Sequence, residues 1–168
     1  MAKDFKMIPV EIKGLMMDPT SNVPIVILRN DDLEKVLPIW IGIFEANAIA
    51  LRLEGVKSPR PMTHDLLANL VDLLDGEIQR VVITDLADNT FFAQIYILMP
   101  GETNPRLLDA RPSDAIALAL RSEAPVFVDE SVFDKATHDA SSSYSEEEER
   151  IKKWLEEVDP DDLGKYTM

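Results

Sequence analysis

One stretch, residues 107–121 (LLDARPSDAIALALR), constrains the fold more than any other, because it joins a charged entrance to an apolar helix. After Asp114 the residues are apolar nearly all round as far as Leu120. A helix without a polar face has to be buried. Pro112 forces an extended approach to this helix, and Ser113 is expected to be its N-cap. The sequence therefore predicts a buried helix whose N-terminus holds charged side chains in fixed positions.

The rest of the body mixes strand and helix patterns. Strand patterns occupy residues 5–18, 23–29, 35–42, 106–110 and 125–130, together with a hairpin over 77–99 that turns at ADN. Helical spacing occupies residues 44–55, where Gly55 is a plausible stop, and 64–76, where Thr63 is the expected cap. Pro38 indicates an edge strand or a strand start. This order predicts an α+β domain with a mixed sheet and several helices.

The C-terminal part differs in composition from the body. Residues 137–145 (THDASSSYS) are typical of a linker, and residues 131–136 of a short helical turn. A capping-box pattern then precedes an acidic helix with Ile151, Trp154, Leu155 and Val158 at helical spacing. We therefore expect a domain over 1–138, and a linker with a helical tail over 139–168 that docks on the body or on a partner chain.

Composition and charge exclude several classes of protein. The 168 residues include no cysteine, which excludes disulfides and thiolate metal sites and favours a reducing, cytoplasmic location. No apolar stretch is long enough to cross a bilayer, so no membrane partner is expected. The net charge of −14 argues against a broad basic surface for nucleic acid. A nucleic-acid ligand would need local basic residues or a divalent cation as a bridge.

The entrance to the buried helix is the first candidate site. Its N-terminus could bind an anion, and Arg111 could hold a phosphate with two hydrogen bonds. Asp109 and Asp114 could hold a cation or pair with Arg111. The alternative is structural: Asp109 and Arg111 form an ion pair, and Ser113 is only a cap.

Two further segments carry candidate residues. Glu54, Arg60, His64 and Asp65 crowd around two helix ends within residues 51–67, and Glu45 lies in the first turn of another helix. His64 could act as a neutral base or a metal ligand, or it could be an ordinary surface histidine. The chain has only two histidines, which are too few for an HD-type phosphohydrolase or a zinc site. A metal would be Mg²⁺ or Mn²⁺, held by carboxylates and water.

Three segments together resemble one known family. LPIWIGIFEANAIALRLEG, PRPMTHDLL and DARPSDAIALALR, with VVITDLADNTFFAQI between the second and third, are similar to the bifunctional nuclease domain of bacteria and plants. The resemblance covers about residues 5–133. It implies an α+β fold, hydrolysis of both DNA and RNA, and assembly as a homodimer or larger homo-oligomer. The acidic tail lies outside the pattern.

The residues and the resemblance lead to two main hypotheses. The first is a metal-dependent nuclease in which Mg²⁺ or Mn²⁺ activates water and neutralises the scissile phosphate. Its catalytic residues would be His64, Asp65, Asp109 and Arg111, its substrate-binding residues Arg60 and Ser113, and its metal ligands Glu45, Glu54 and Asp114. The second is a non-catalytic oligomeric binding or regulatory module whose polar motifs are structural. A narrower option is a small anion bound at the start of the helix over 113–122.

Overall fold

Seven strands and four helices follow one another along residues 6–143, which with Lys153 are the residues that this computed structural model describes. The strands are β1 (Met7–Met17), β2 (Pro24–Asn30), β3 (Lys35–Trp40), β4 (Glu77–Ala87), β5 (Thr90–Leu98), β6 (Arg106–Ala110) and β7 (Val126–Asp129). The helices are α1 (Ile43–Leu53), α2 (Thr63–Leu73), α3 (Pro112–Ser122) and α4 (Glu130–Ser143).

The strands form one mixed sheet in the spatial order β3-β2-β1-β7-β4-β5-β6. Every neighbouring pair is antiparallel except β4 and β7, which run parallel. The parallel pair follows from a crossover, because α3 carries the chain from the β6 edge back to the middle of the sheet. The predicted α+β fold with a mixed sheet is confirmed.

The continuous apolar run of β2 has a direct explanation in the sheet. Val26 and Leu28 belong to the main core, whereas Ile25 and Ile27 form a second small apolar cluster. Because successive side chains point to opposite faces, a strand that is buried on both faces needs apolar residues at every position. Pro38 lies on the edge strand β3 opposite Ile27, where a missing N–H is tolerated, as predicted.

The turn between β4 and β5 also follows its sequence. Asp88 and Asn89 both have positive φ, 50° and 57°. A two-residue hairpin turn of the favoured type requires positive φ at both central positions, and Asp and Asn tolerate it better than most residues. The predicted hairpin is confirmed, and it fixes the long β4–β5 pairing.

Helix α3 is the centre of the helical layer. Its residues Pro112, Ser113 and 115–119 are buried, and the helix contacts α1 and α2 as well as β4 and β5. Burial of a side chain the size of Ile116 contributes about 1.5–3 kcal/mol, so the apolar sequence of α3 is a main source of stability. The predicted burial of this helix is confirmed.

Two predicted helix caps are wrong. The N-cap of α3 is Arg111, with φ −70° and ψ 147°, and Pro112 is the first helical residue, which places Ser113 inside the helix. Proline is favoured at that position because its missing N–H needs no partner there. Similarly Met62 is the N-cap of α2 and Thr63 is its first residue.

The predicted linker is helical where the structure describes it. Helix α4 continues through residues 137–143, well beyond the short turn expected over 131–136. The Thr137 hydroxyl donates to the Phe133 carbonyl oxygen at 2.8 Å, within the helix, instead of competing with it. Of the predicted C-terminal helix the structure describes only Lys153, so the boundary at 138/139 and the docking of the tail stay predictions. None of the helices formed by the described residues has the length and hydropathy of a membrane span.

Candidate active site

Three charged side chains and a histidine, from the three candidate segments, meet at the N-terminus of α3. His64 Nε2 lies 2.9 Å from Asp114 Oδ1, and Arg111 Nε donates to Asp114 Oδ2 at 2.8 Å. Arg111 Nη1 lies 3.1 Å from Glu45 Oε1. We call Glu45, His64, Arg111 and Asp114 the charge cluster. It joins the starts of α1, α2 and α3.

Helix geometry places the acids of the charge cluster. Glu45 and Asp114 are each the third residue of their helix, a position where a carboxylate interacts favourably with the positive helix end. Gly42 precedes α1, and a Cβ there would overlap the Glu45 carboxylate. The absence of a side chain at position 42 therefore lets Glu45 fold back over the backbone and reach Arg111.

Arg111 is the most exposed side chain of the charge cluster. Side-chain exposure is 12% for His64, 21% for Glu45 and 29% for Asp114, but 66% for Arg111. A ligand arriving from solvent would therefore meet the guanidinium first, with the histidine and the two carboxylates behind it.

The charges in this cluster stabilise one another. Burial raises the pKa of Asp114, but hydrogen bonds from Arg111 and His64 outweigh burial and leave that pKa below its ordinary value. The hydrogen bond to Asp114 is also the main reason why the pKa of Arg111 is raised. Asp114 is therefore ionised and Arg111 charged at neutral pH.

An ionised Asp114 fixes the role of each nitrogen of His64. A carboxylate oxygen accepts, so Nε2 of the imidazole carries the hydrogen in this contact. In a neutral ring Nδ1 then has the free lone pair. This is the arrangement in which a carboxylate orients a histidine so that its other nitrogen can take a proton.

A second polar contact holds the helices that carry the charge cluster. Arg121 Nε donates to Asp65 Oδ1 at 2.6 Å, and its other nitrogens donate to the carbonyl oxygens of Ala117 and Ala48 at 2.8 and 3.2 Å. Arg121 is only 7% exposed, so one buried guanidinium ties α1, α2 and α3 together. We call Arg121 and Asp65 the helix clamp.

Asp65 is bound from both sides in the helix clamp. A hydrogen bond from the Met62 backbone N–H, at 2.9 Å, is the main cause of its lowered pKa, and Arg121 lowers it further. A cavity of about 520 Å³ lies beside the clamp, lined by Arg52, Asp65, Asn69, Glu77, Arg121 and Glu123 among others. Sequence reasoning missed Arg121, although an arginine at the end of an otherwise apolar helix was a usable signal.

The structure does not join the remaining predicted residues to the charge cluster. Glu54, Arg60 and Asp109 are exposed, and their side chains make no hydrogen bond or ion pair with another described residue. The alternative that paired Asp109 with Arg111 is therefore wrong, because Arg111 binds Glu45 and Asp114 instead. Ser113 is buried at 6% exposure, so its position gives no support to a contact with substrate.

The carboxylates fit a divalent cation poorly as they stand. Among the side chains that the structure describes, those of residues 6–137 and Lys153, no three histidine or acidic groups are placed so that they could hold a metal ion. Glu45 and Asp114 both bind Arg111, and Glu54 is apart from them. The Mg²⁺ or Mn²⁺ site stays a prediction, and we derive no chemical step from it.

The comparison with protein families gives a clear result. The family model described as the bifunctional nuclease domain matches residues 26–141. The chain belongs to the bifunctional nuclease domain family. The match includes all three segments that supply the charge cluster and the helix clamp.

Individual relatives extend this result. An uncharacterized protein of Mycobacterium tuberculosis is 38% identical over 163 residues, which cover 92% of this chain and 96% of the relative. Bifunctional nuclease 1 of Arabidopsis thaliana is 27% identical over 116 residues, covering 68% of this chain but 36% of the plant protein. Bifunctional nuclease 1 of rice (Oryza sativa subsp. japonica) is 24% identical over 114 residues, covering 67% of this chain and 34% of the rice protein. The plant proteins are thus matched over about a third of their length.

Proposed function

We propose that this chain hydrolyses phosphodiester bonds in DNA and RNA at the charge cluster. One observation carries the proposal: His64 and Arg111, a potential base and a phosphate-binding group, are both held by Asp114 although they come from different segments. Membership of the bifunctional nuclease domain family supports the choice of nucleic acid as substrate.

Arg111 is the residue proposed to bind the scissile phosphate. Two of its five N–H groups are directed at Asp114 and Glu45, which leaves three for a ligand. A guanidinium matches two phosphate oxygens, and a fixed positive charge also stabilises the charge that develops in the transition state. The overall charge of −14 makes this exposed cation important, because the remaining surface repels nucleic acid.

His64 is the proposed general base. Water attacks phosphorus as its proton passes to Nδ1 of His64, and the bond between phosphorus and the leaving sugar oxygen breaks. The leaving oxygen then takes a proton from the imidazolium or from solvent. Asp114 would stabilise the imidazolium formed in the first step, and Glu45 would hold Arg111 in position.

The other predicted residues have different places in the proposal. Asp65 is a positioning residue, since its carboxylate is bound by Arg121 and by the Met62 backbone. Arg60 and Asp109, with exposed side chains that bind no other residue in the part of the chain that the structure describes, are candidates for contacts with the nucleic-acid strand and with water. Whether cleavage requires Mg²⁺ or Mn²⁺ is tested by measuring it with and without each ion.

The alternative function is a non-catalytic binding or regulatory module. One observation favours it: the two carboxylates of the charge cluster pair with Arg111 and His64, as they would in a purely structural network. The two functions differ in a measurable way, because only a nuclease loses turnover when His64 is replaced without loss of fold.

The deciding experiment measures cleavage of single-stranded DNA and of RNA by the full chain with Mg²⁺, with Mn²⁺ and with a chelator. His64→Gln is expected to lower kcat at least about 100-fold, the usual contribution of a general base. His138→Gln, which changes the chain's other histidine, is the matched control and should keep full activity. Full activity in His64→Gln would contradict the proposal, and absence of cleavage under every condition would favour the binding module.

A further inference from the structure

A smaller cavity, of about 260 Å³, lies between the end of α1 and the start of α2. Its polar lining residues are Arg52, Lys57, Ser58, Asp65 and Arg121, and its apolar ones are Leu51, Val56, Pro61 and Met62. We call it the basic cavity. No member of the charge cluster lines it, so it is a separate place on the surface of the same helices.

The basic cavity carries an excess of positive charge in an otherwise acidic protein. Arg121 and Asp65 bind each other in the helix clamp, which leaves the cavity with the two charges of Arg52 and Lys57 in excess. The whole chain has a net charge of −14. The larger cavity beside the clamp has the opposite balance, because three further acidic residues line it. An anion is therefore attracted to the smaller cavity and repelled from the larger one.

The polar groups of the basic cavity have donors that the protein does not use. Arg52 Nε donates to the Leu120 carbonyl oxygen at 3.3 Å, and neither terminal nitrogen of Arg52 bonds to another residue that the structure describes. The Lys57 ammonium and the Ser58 hydroxyl likewise bond to none of the described residues. Arg52 and Lys57 are exposed and Ser58 is half-buried, so a ligand can reach all three from solvent.

We propose that the basic cavity binds a phosphate group of a nucleotide. The Arg52 guanidinium can direct two parallel donors at two phosphate oxygens, Lys57 adds a compact positive charge, and Ser58 adds a neutral donor. The side chains of Val56 and Met62, 49% and 40% exposed, are available to pack against the sugar or the base. A ligand with one charged and one less polar part requires this combination of polar and apolar walls.

The basic cavity lies close to the charge cluster in the fold. On α2, His64 belongs to the charge cluster, and the next residue, Asp65, lines the basic cavity. On α3, Asp114 of the cluster and Arg121 of the cavity are separated by about 10 Å of helix, at about 1.5 Å per residue. The phosphates of a stacked strand follow one another at about 3.4 Å along its axis. A strand bound at Arg111 would therefore reach the basic cavity about three nucleotides away.

The phosphate has two possible sources. It is either a further phosphate of the strand that is cut at the charge cluster, in which case the inference rests on the proposed function, or the phosphate of a free mononucleotide, in which case it does not. The same donors serve both. Binding measurements without turnover distinguish the two sources and keep this inference separate from the nuclease activity.

Fluorescence anisotropy with a phosphorothioate-linked oligothymidylate of about eight nucleotides tests the strand. Arg52→Gln and Lys57→Gln each remove one positive charge. Each is expected to weaken binding about three- to ten-fold and to lower the slope of log K against log salt by about 0.7, the value for one phosphate contact on a single strand. Lys6→Gln is the matched control, because it removes the charge of an exposed lysine that binds Glu130, and it should leave the slope unchanged. Melting temperatures check that each variant is folded.

Isothermal titration calorimetry of the full chain with adenosine monophosphate tests the free nucleotide. Saturable binding that both Arg52→Gln and Lys57→Gln weaken, with an unchanged salt slope for the strand, would assign the cavity to a free mononucleotide. This result in a chain that cleaves no nucleic acid would support the cavity and contradict the nuclease. Wild-type affinity of both variants for both probes would overturn the inference even if the chain is an active nuclease, as would a wild-type chain that binds neither probe.

Discussion

His64 on α2 and Asp114 on α3 are 50 positions apart in the sequence, yet Nε2 of the histidine lies 2.9 Å from Oδ1 of the aspartate. This contact converts two separate motifs into one site. It also couples the imidazole to Arg111, because the other oxygen of the same carboxylate binds the guanidinium. The proposed nuclease function depends on these two contacts of Asp114.

Arg111→Lys is expected to show whether phosphate binding needs only the positive charge at position 111 or also the hydrogen-bonding geometry of a guanidinium. A lysine keeps the positive charge but cannot bind Glu45 and Asp114 at once while offering two parallel donors to a phosphate. We expect kcat/KM for single-stranded DNA to fall about 10- to 100-fold in Arg111→Lys and further in Arg111→Ala. Arg106→Lys is the control, because the exposed Arg106 binds Glu102 on another part of the surface. Equal activity of the two lysine variants would contradict the role given to Arg111.

Gly42→Ala is expected to act through Glu45 alone. The backbone at Gly42, with φ −71°, is accessible to alanine, but the new Cβ would displace the Glu45 carboxylate from its place beside Arg111. We expect a few-fold loss of kcat/KM with an unchanged melting temperature. A double-mutant cycle checks the cause: in a Glu45→Gln background, Gly42→Ala should have no further effect. Additive losses would show that Gly42 acts by another route.

Asp18 is expected to make the fold sensitive to acid. Hydrogen bonds from the Trp40 indole and the Thr20 N–H lower the pKa of this buried carboxyl to about 2, from an ordinary value of 3.8. Since the folded-state pKa is the lower one, the stabilisation is complete above about pH 5 and is lost progressively as pH falls from about 5 through 2. Urea unfolding across pH 2–7 should show this decline, and Asp18→Asn should show less of it. An identical decline in both proteins would contradict the assignment.

Arg121→Met is expected to loosen the helical layer. The change removes a buried guanidinium, so Asp65 loses its side-chain partner and the carbonyl oxygens of Ala117 and Ala48 lose a second donor. We expect a loss of about 2–3 kcal/mol in the free energy of unfolding, measured with urea. Arg52→Met is the control: Arg52 lines the same cavity but is exposed, donates one 3.3 Å hydrogen bond to Leu120 O, and contributes least among the groups that lower the pKa of Asp65. Similar stabilities of the two variants would contradict the clamp.

The parts of the fold that could be predicted from the sequence are those set by local chemistry. Asp88 and Asn89 favour positive φ, which predicts the β4–β5 turn, and Pro38 can occupy only a strand position without a second neighbour. The apolar composition of α3 required burial wherever the helix lay. None of these three features depends on which residue from a distant part of the sequence packs against it.

The remaining features depend on tertiary contacts or on competing local preferences. In the sequence, the nearest acids to Arg111 are Asp109 and Asp114. In the structure Arg111 binds Asp114 and the distant Glu45, and it does not bind Asp109. Pro112 took the first helical position, which moved Ser113 inside the helix. The serine-rich end of α4 is helical, although its composition is typical of a linker. Composition alone does not determine whether such a segment continues a preceding helix.

The most direct test of the site is a double-mutant cycle on kcat/KM for single-stranded DNA with His64→Gln and Asp114→Asn. If Asp114 acts by orienting His64 and stabilising its imidazolium, each single change should lower activity strongly and the double variant should be little worse than His64→Gln. Losses that simply add, or an active His64→Gln enzyme with an intact fold, would contradict a shared catalytic site.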